Sequence, residues 1–400
     1  MAGEERDVTS ELQSRRKILV LAPQPFFQDR GTPIAIKLLV TELAVLGHDV
    51  HLLVFHEGED VVIPGVTIHR TPAIAGIHDI PPGISAKKIL CDAAMFFRAW
   101  SLLRKIRFDI IHAVEEAVFI AKVLGAIFRI PYIYDMDSSL PVQIVDKLRF
   151  CRPLMGVLVF FEKIAVRSSL GVVAVCKALE DIAVSHAPEK LVARLEDISL
   201  LEDSMPGEEL LREKYGIDGP IMLYVGNLEG YQGIDLLLEG FQQARARGCV
   251  GNVVIIGGTE PTIASYREKA EQLGIIDHTY FCGPRPVGLL GHYLQQADIL
   301  LSPRVQGNNT PMKLYSYLDS GKAVLATNLT THTQVLSAGF ACLVEPAMDS
   351  MADGMEKLLN SAELREELGK KGRMVARRNY SLKAYREKLR AFYRVVVDAT

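Results

Sequence analysis

The chain reads as an α/β protein made of two parallel-sheet domains, and three observations predict it. Short apolar runs alternate with helix-patterned stretches along almost the whole length. The strand-like runs are apolar at nearly every position, as strands covered on both faces are. The rhythm loosens once, around residues 195–219, in the charged, Gly- and Pro-containing stretch "EDISLLEDSMPGEELLREKYGIDGP", and then restarts.

In order, "KILVLAP" (17–23) is the first strand, followed by the loop "QPFFQDRGTP". A helical pattern runs through "IAIKLLVTELAVLG" to Gly47, and "HDVHLLVF" is the next strand, which completes a β-α-β unit. "DIIHAVE", "PYIYDMD" and "GVVAVC" continue the alternation. After the break come "IMLYVGN", "NVVIIGG", "TYFCGP", "ADILLSP" and "KAVLAT". The expected organisation is a polar extension (1–16), a first domain (17–199), a linker (200–219), a second domain (220–379) and a last helix (380–400) crossing back to the first. Ligands of parallel sheets bind beyond the carboxyl ends of the strands, so two facing domains would place those loops on the walls of one cleft.

Composition narrows the function. With 400 residues, 49% of them hydrophobic, both domains have material for a core. A net charge of −3 gives no general attraction to nucleic acid. Cys91, Cys151, Cys176, Cys249, Cys282 and Cys342 lie far apart, which fits neither a disulfide framework nor a zinc cluster and agrees with a reducing, cytoplasmic setting. The polar stretch 1–16 lacks the apolar centre of a signal peptide, and no apolar run reaches the roughly 20 residues of a membrane span.

The most informative stretch is "NNTPMKLYSYLDSGKAVLATN" (308–328). Thr310 is expected to cap a helix, Pro311 to be its first residue, and Gly321 to close it. The free N–H groups and dipole of such a helix mouth attract anions. Lys313 and Arg304 flank it, and Asn308, Asn309 and Thr310 offer hydrogen bonds to hydroxyl groups, or serve only as turn and capping residues. Gly31, after the first strand, fits close approach of backbone N–H groups to a phosphate, or an ordinary β-α turn. Neither the dinucleotide fingerprint nor the P-loop pattern is present.

Several segments resemble a known family. "YVGNLEGYQGIDLLLEGFQQA", "ADILLSPRVQGNNTPMKLYSYLDSGKAVLATN" and "PQPFFQDRGTPIAIKLLVTELAVLGHDVHLLV" are similar, in order and spacing, to parts of the retaining, glycogen-synthase-like glycosyltransferases (group 1, glycosyltransferase family 4). The resemblance spans residues 17–395 and implies the GT-B fold, two Rossmann-like domains facing across a cleft. It further implies transfer of a sugar from a nucleotide-sugar donor to a glycan or lipid-linked acceptor, with no obligatory metal and no other cofactor. Gly226 and Gly233 fall in its donor loop. The family's Arg and Lys in that loop stand here as Asn227 and Gln232, its two Glu as Asn308 and Ser316, and its histidine as Val114. Ser316 could still bond a ribose hydroxyl, and Lys313 with Arg304 would replace the missing cations on the diphosphate.

In the first domain, His112 is read as a catalytic candidate or a satisfied core residue. Glu115, with Glu116 beside it, is a candidate to orient an acceptor hydroxyl or simply a solvated helix start. Asp135 is assigned to the acceptor. With Asp137 it has a spacing that binds divalent ions elsewhere, although helix capping by Asp137 or Ser138 explains the pattern as well. "AKKILCDAAMFFRAWSLLRKIRF" (86–108) places Ile89, Ala93, Phe96, Trp100 and Leu103 on one helical face, with Lys87, Arg98 and Lys105 opposite. It fits a helix packed on the first sheet, or one lying in an anionic membrane interface at the inner face of a membrane. "RPLMGVLVFFEKIAVR" (152–167) is expected to be buried. A catalytically silent sugar-nucleotide-binding protein and a GT-B sugar-nucleotide epimerase fit the same residues as alternatives.

Overall fold

The computed structural model describes residues 15–28, 31–81, 83, 85–201, 204–307 and 309–400. They form two compact units, one of residues up to Leu195 together with Arg386–Thr400, the other of Glu196–Tyr385.

The first unit holds strands β1 (Lys17–Leu21), β2 (Asp49–Val54), β3 (Val66–Arg70), β4 (Ile110–Val114), β5 (Tyr132–Met136), β6 (Gly171–Ala174) and β7 (Val192–Arg194). They lie in the order β3-β2-β1-β4-β5-β6-β7, all parallel. The central strands are buried along nearly their whole length, which explains the unbroken apolar runs. Strand order reverses direction at β1, so right-handed crossovers send helix Gly31–Val45 to one face and helices Ala86–Lys105, Ala117–Phe128 and Met155–Ser168 to the other. The last helix, Leu382–Asp398, belongs to this unit from Arg386 onward. Arg386 Nη2 donates to Glu42 Oε1 at 2.9 Å, and Tyr393 stacks on His112.

The second unit holds β8 (Ile221–Val225), β9 (Asn252–Ile256), β10 (Thr279–Gly283), β11 (Ile299–Ser302), β12 (Ala323–Thr327) and β13 (Cys342–Val344), in the parallel order β10-β9-β8-β11-β12-β13. Both units are therefore Rossmann-like. In each, the direction of strand order reverses beside the first strand, and that switch point is where a ligand crevice opens.

Two helices differ from expectation. The stretch 152–167 is not buried. Its helix Met155–Ser168 turns only Glu162, Ala165 and Val166 fully inward and leaves Val157, Phe160 and Phe161 exposed. An all-round apolar sequence carries no period that says which side meets a neighbour. In helix Ala86–Lys105, Cys91, Met95, Ala99, Leu102 and Leu103 face inward, while Ile89 and Phe97 are exposed, so the back of the helix is apolar as well. Among the described residues no helix is long and apolar enough to cross a membrane.

Candidate functional site

At the switch point of the second unit, the loop after β8 turns through Gly226 and Gly233. Gly226 has φ +151°, and a Cβ there would stand 3.0 Å from Tyr224 Oη and 3.3 Å from Lys313 Nζ. Gly233 has φ +76°, and its Cβ would meet the Pro303 carbonyl oxygen at 2.0 Å. Both positions need glycine, and their need brings the β8 and β11 loops together.

Helix Lys313–Ser320 starts two residues later than expected. Thr310 does not cap it: its hydroxyl is buried with no hydrogen-bond partner, and Pro311 precedes the helix. Gly321 closes the helix at φ +76°. Lys313 is half-buried as a residue, with its ammonium at the buried end, 3.8 Å from the centroid of the Tyr224 ring and donating to the Val225 carbonyl at 3.2 Å. Burial, and then the nearby Arg304 guanidinium, hold its pKa well below the usual lysine value.

Arg304 lies over the Tyr231 ring at 5.0 Å and donates through Nη1 to the Asn309 carbonyl and to Thr331 Oγ1, each at 2.9 Å. Its Nε is buried without a partner, and burial lowers its pKa. Beneath the loop, His332 accepts or donates at 2.9 Å with Ser302 Oγ and bonds the Thr327 carbonyl at 2.8 Å. Burial pushes His332 down to about 4, so this floor is neutral. No carboxylate among the described residues offsets Lys313 or Arg304. The result is a pair of buried cations, a free hydroxyl and a free guanidinium N–H at the carboxyl end of a parallel sheet.

The other expected donor residues are placed as follows. Asn227 is exposed and within 3.4 Å of Tyr231 Oη, and Gln232 is buried in the same loop. Ser316 is fully buried, and its hydroxyl accepts from the Leu200 backbone N–H at 3.0 Å, so it faces the 199–201 segment rather than the helix mouth. Asn308 lies outside the described residues. Gly31, in the first unit, is the first residue of its helix and has no positive φ. A Cβ added to it would meet nothing within 4 Å, so neither conformation nor crowding requires glycine there.

In the first unit His112 takes the core position that was the other reading of it. It is fully buried, with Nδ1 2.7 Å from Tyr393 Oη and Nε2 3.0 Å from Asp135 Oδ2. Asp135 therefore spends one oxygen on His112. Ser139 is the N-cap of helix Leu140–Lys147, but its hydroxyl makes no capping bond and donates to Glu162 at 2.8 Å, while Ser138 donates to Glu115 Oε1 at 3.4 Å. Glu115 sits at φ +50°, a conformation uncommon outside glycine, at the end of β4. Lys88 Nζ reaches Glu116 Oε1 at 2.5 Å and Glu115 Oε2 at 3.6 Å. Asp92, one helical turn beyond Lys88, joins them. Burial and then the Glu116 charge push its carboxyl up to about 8, against the pull of Lys88. Burial and Glu115 likewise raise Glu116. Sequence reasoning missed Asp92, Lys88, Tyr224, Tyr231 and Thr331. Asp92 could have been found as the single acid in a helix with five basic residues, at the i+4 position from Lys88.

Comparison with known proteins agrees with this architecture. A curated relative, alpha-D-kanosaminyltransferase of Streptomyces kanamyceticus, is 22% identical over 289 residues, which cover 70% of this chain and 74% of that protein. The structure of sucrose-phosphate synthase from Thermosynechococcus elongatus superposes with a TM-score of 0.78 at 18% identity, covering 96% of this chain and 100% of that one. Anabaena HepE in complex with UDP superposes with a TM-score of 0.71 at 13% identity, covering 94% and 98%. At these identities the structural matches show the fold. Residues 207–375 match the model for glycosyl transferases group 1, and residues 30–193 match that for the glycosyl transferase 4-like domain. The chain belongs to the group 1 glycosyltransferases, with the GT-B fold.

Proposed function

We propose that this glycosyltransferase takes a sugar from a nucleotide-sugar donor and passes it, with retention at the anomeric carbon, to a glycan or lipid-linked acceptor. Lys313 and Arg304 would hold the donor's diphosphate. The observation that carries the reading is the uncompensated pair itself. Two cations taken out of water with no counter-charge are unfavourable in the empty protein, and a bound diphosphate would offset that. The partnerless Thr310 hydroxyl and Arg304 Nε supply further donors to it. As the sugar–phosphate bond breaks, negative charge grows on the leaving oxygen, so cations fixed beside it bind the transition state more strongly than the ground state. They would do what a divalent ion does in other transferases, and the reaction is therefore proposed to need no metal.

The first unit, taken by itself, offers an acceptor hydroxyl the Glu115, Glu116, Asp92 and Lys88 cluster at the end of β4. A carboxylate there would orient the hydroxyl, and Asp92, whose carboxyl burial pushes up to about 8, would donate a hydrogen bond in its neutral form. HepE, which binds UDP, makes UDP-sugars the first donors to try.

The test is nucleoside diphosphate release from a panel of nucleotide sugars, with and without candidate acceptors, and product anomers assigned by NMR. Lys313→Ala is expected to lower kcat/KM about 100-fold with the best donor, and EDTA to leave the rate unchanged. Full activity in Lys313→Ala would remove the diphosphate assignment, and an inverted anomer would remove retention.

A further inference from the structure

Among the described residues, twenty large apolar side chains are exposed, and ten of them sit on three stretches of the first unit. These are helix Ala86–Lys105, helix Ala117–Phe128, and the turn Arg149–Leu154 with the helix Met155–Ser168 that continues it. The three form one layer, because their crossovers fall on the same face of the sheet. Adjacent members also touch: the Trp100 and Phe128 rings lie 5.4 Å apart, and Lys122 donates to Ser168 Oγ at 3.0 Å. The apolar groups stand well out, with Phe150 78%, Phe97 70% and Phe160 58% exposed. Exposed apolar groups gathered on one layer mark an interaction site.

The charges around it say what kind. The three stretches contain ten Lys and Arg against two acids, Asp92 and Glu162, in a chain whose net charge is −3. Neither acid competes at the surface. Glu162 is buried and bonded to His186 and Ser139, and Asp92 belongs to the Lys88 cluster, with a raised pKa. Lys87, Arg104, Lys105, Arg152 and Arg167 are exposed. A second copy docking by two-fold symmetry would set this excess of positive charge against itself. An anionic bilayer would instead take the apolar groups into its acyl boundary and the basic groups at its headgroups.

We propose that the outer helical face of the first unit is a peripheral membrane-docking surface for anionic lipid bilayers. Phe150, Leu154, Val157, Phe160 and Phe161 would be its inserted edge, and the exposed lysines and arginines its electrostatic rim. The surface uses none of the donor-site residues, so the proposal stands apart from the transfer reading.

The experiment is flotation of the full chain with phosphatidylcholine vesicles, with and without phosphatidylglycerol, and sedimentation velocity without lipid. The chain is expected to float with the anionic vesicles, to stay behind with the neutral ones, and to be released by high salt. The double substitutions Phe160→Ser with Phe161→Ser, and Arg152→Glu with Lys105→Glu, are each expected to reduce binding at least about tenfold. Their melting temperatures should match the parent, because the replaced groups are exposed. Equal flotation with neutral vesicles, no flotation with either, or full flotation of both variants would overturn the proposal. So would a lipid-free dimer that the phenylalanine substitutions abolish, which would give the face to a second copy.

Discussion

Burial drives Lys313 and Asp92 toward neutrality in opposite senses, and each shift has a pH signature. Asp92, raised from 3.8 to about 8, is favoured as the neutral acid in the folded chain. A raised carboxyl contributes stability that is full below the unfolded value and is lost as pH rises through the folded one. Asp92→Asn keeps the shape and removes the titration. Its melting temperature should therefore fall less than the parent's between pH 5 and 9, both followed by circular dichroism, and parallel curves would show that Asp92 does not titrate there. The sequence made some of these residues legible and hid others for a physical reason. Arg304 and Lys313 stood out because cations beside a helix mouth at a strand's carboxyl end have an evident use. His112 stayed open between two readings because a histidine ending a strand looks the same whether its nitrogens are free or satisfied. Only the chain's return through Tyr393, 281 residues later, shows that they are satisfied.

At the scale of elements, ten of the thirteen described strands were legible because parallel strands covered on both faces leave an unbroken apolar record, whereas the edge strands β3, β7 and β13, mostly only half-buried, leave none and were missed. Helix orientation was less so, as the stretch 152–167 shows. Loop geometry was partly legible. Gly233 was noticed, but not that its lack of a Cβ lets the Pro303 carbonyl approach. Gly233→Ala combines a Cβ 2.0 Å from that oxygen with φ +76°. The strained backbone alone costs about 1–3 kcal/mol, and relief of the clash would displace Arg304, the next residue along. Urea unfolding should show a loss of at least that size together with a weaker donor KM. Unchanged stability would mean that the loop rearranges freely. Ser316 makes a related point. Restoring the family's acid by Ser316→Glu would bury a carboxylate at a fully enclosed position and break the bond to Leu200. We expect a lower melting temperature and no gain in turnover, whereas a faster enzyme would return Ser316 to the reacting centre.

For the molecule as a whole, the two-sheet architecture was readable from rhythm alone, because each strand–helix repeat announces its crossover and the break near residue 200 marks where one sheet ends. The sites were less readable, since they depend on which loops the strand order makes neighbours. Tyr224, Tyr231 and Thr331 meet Lys313 and Arg304 only through that order. These two cations are proposed to hold the donor's diphosphate. Because burial holds the Lys313 pKa well below its usual value, an incoming phosphate should raise it again, so binding should take up a proton and weaken as pH rises. Isothermal titration of UDP and of uridine, in two buffers of different ionisation enthalpy, measures this directly. UDP is expected to bind far more tightly than uridine, with proton uptake. In Lys313→Ala that advantage should shrink by about 10- to 100-fold and the Lys313-linked uptake should disappear. An undiminished preference for UDP in Lys313→Ala would contradict the assignment.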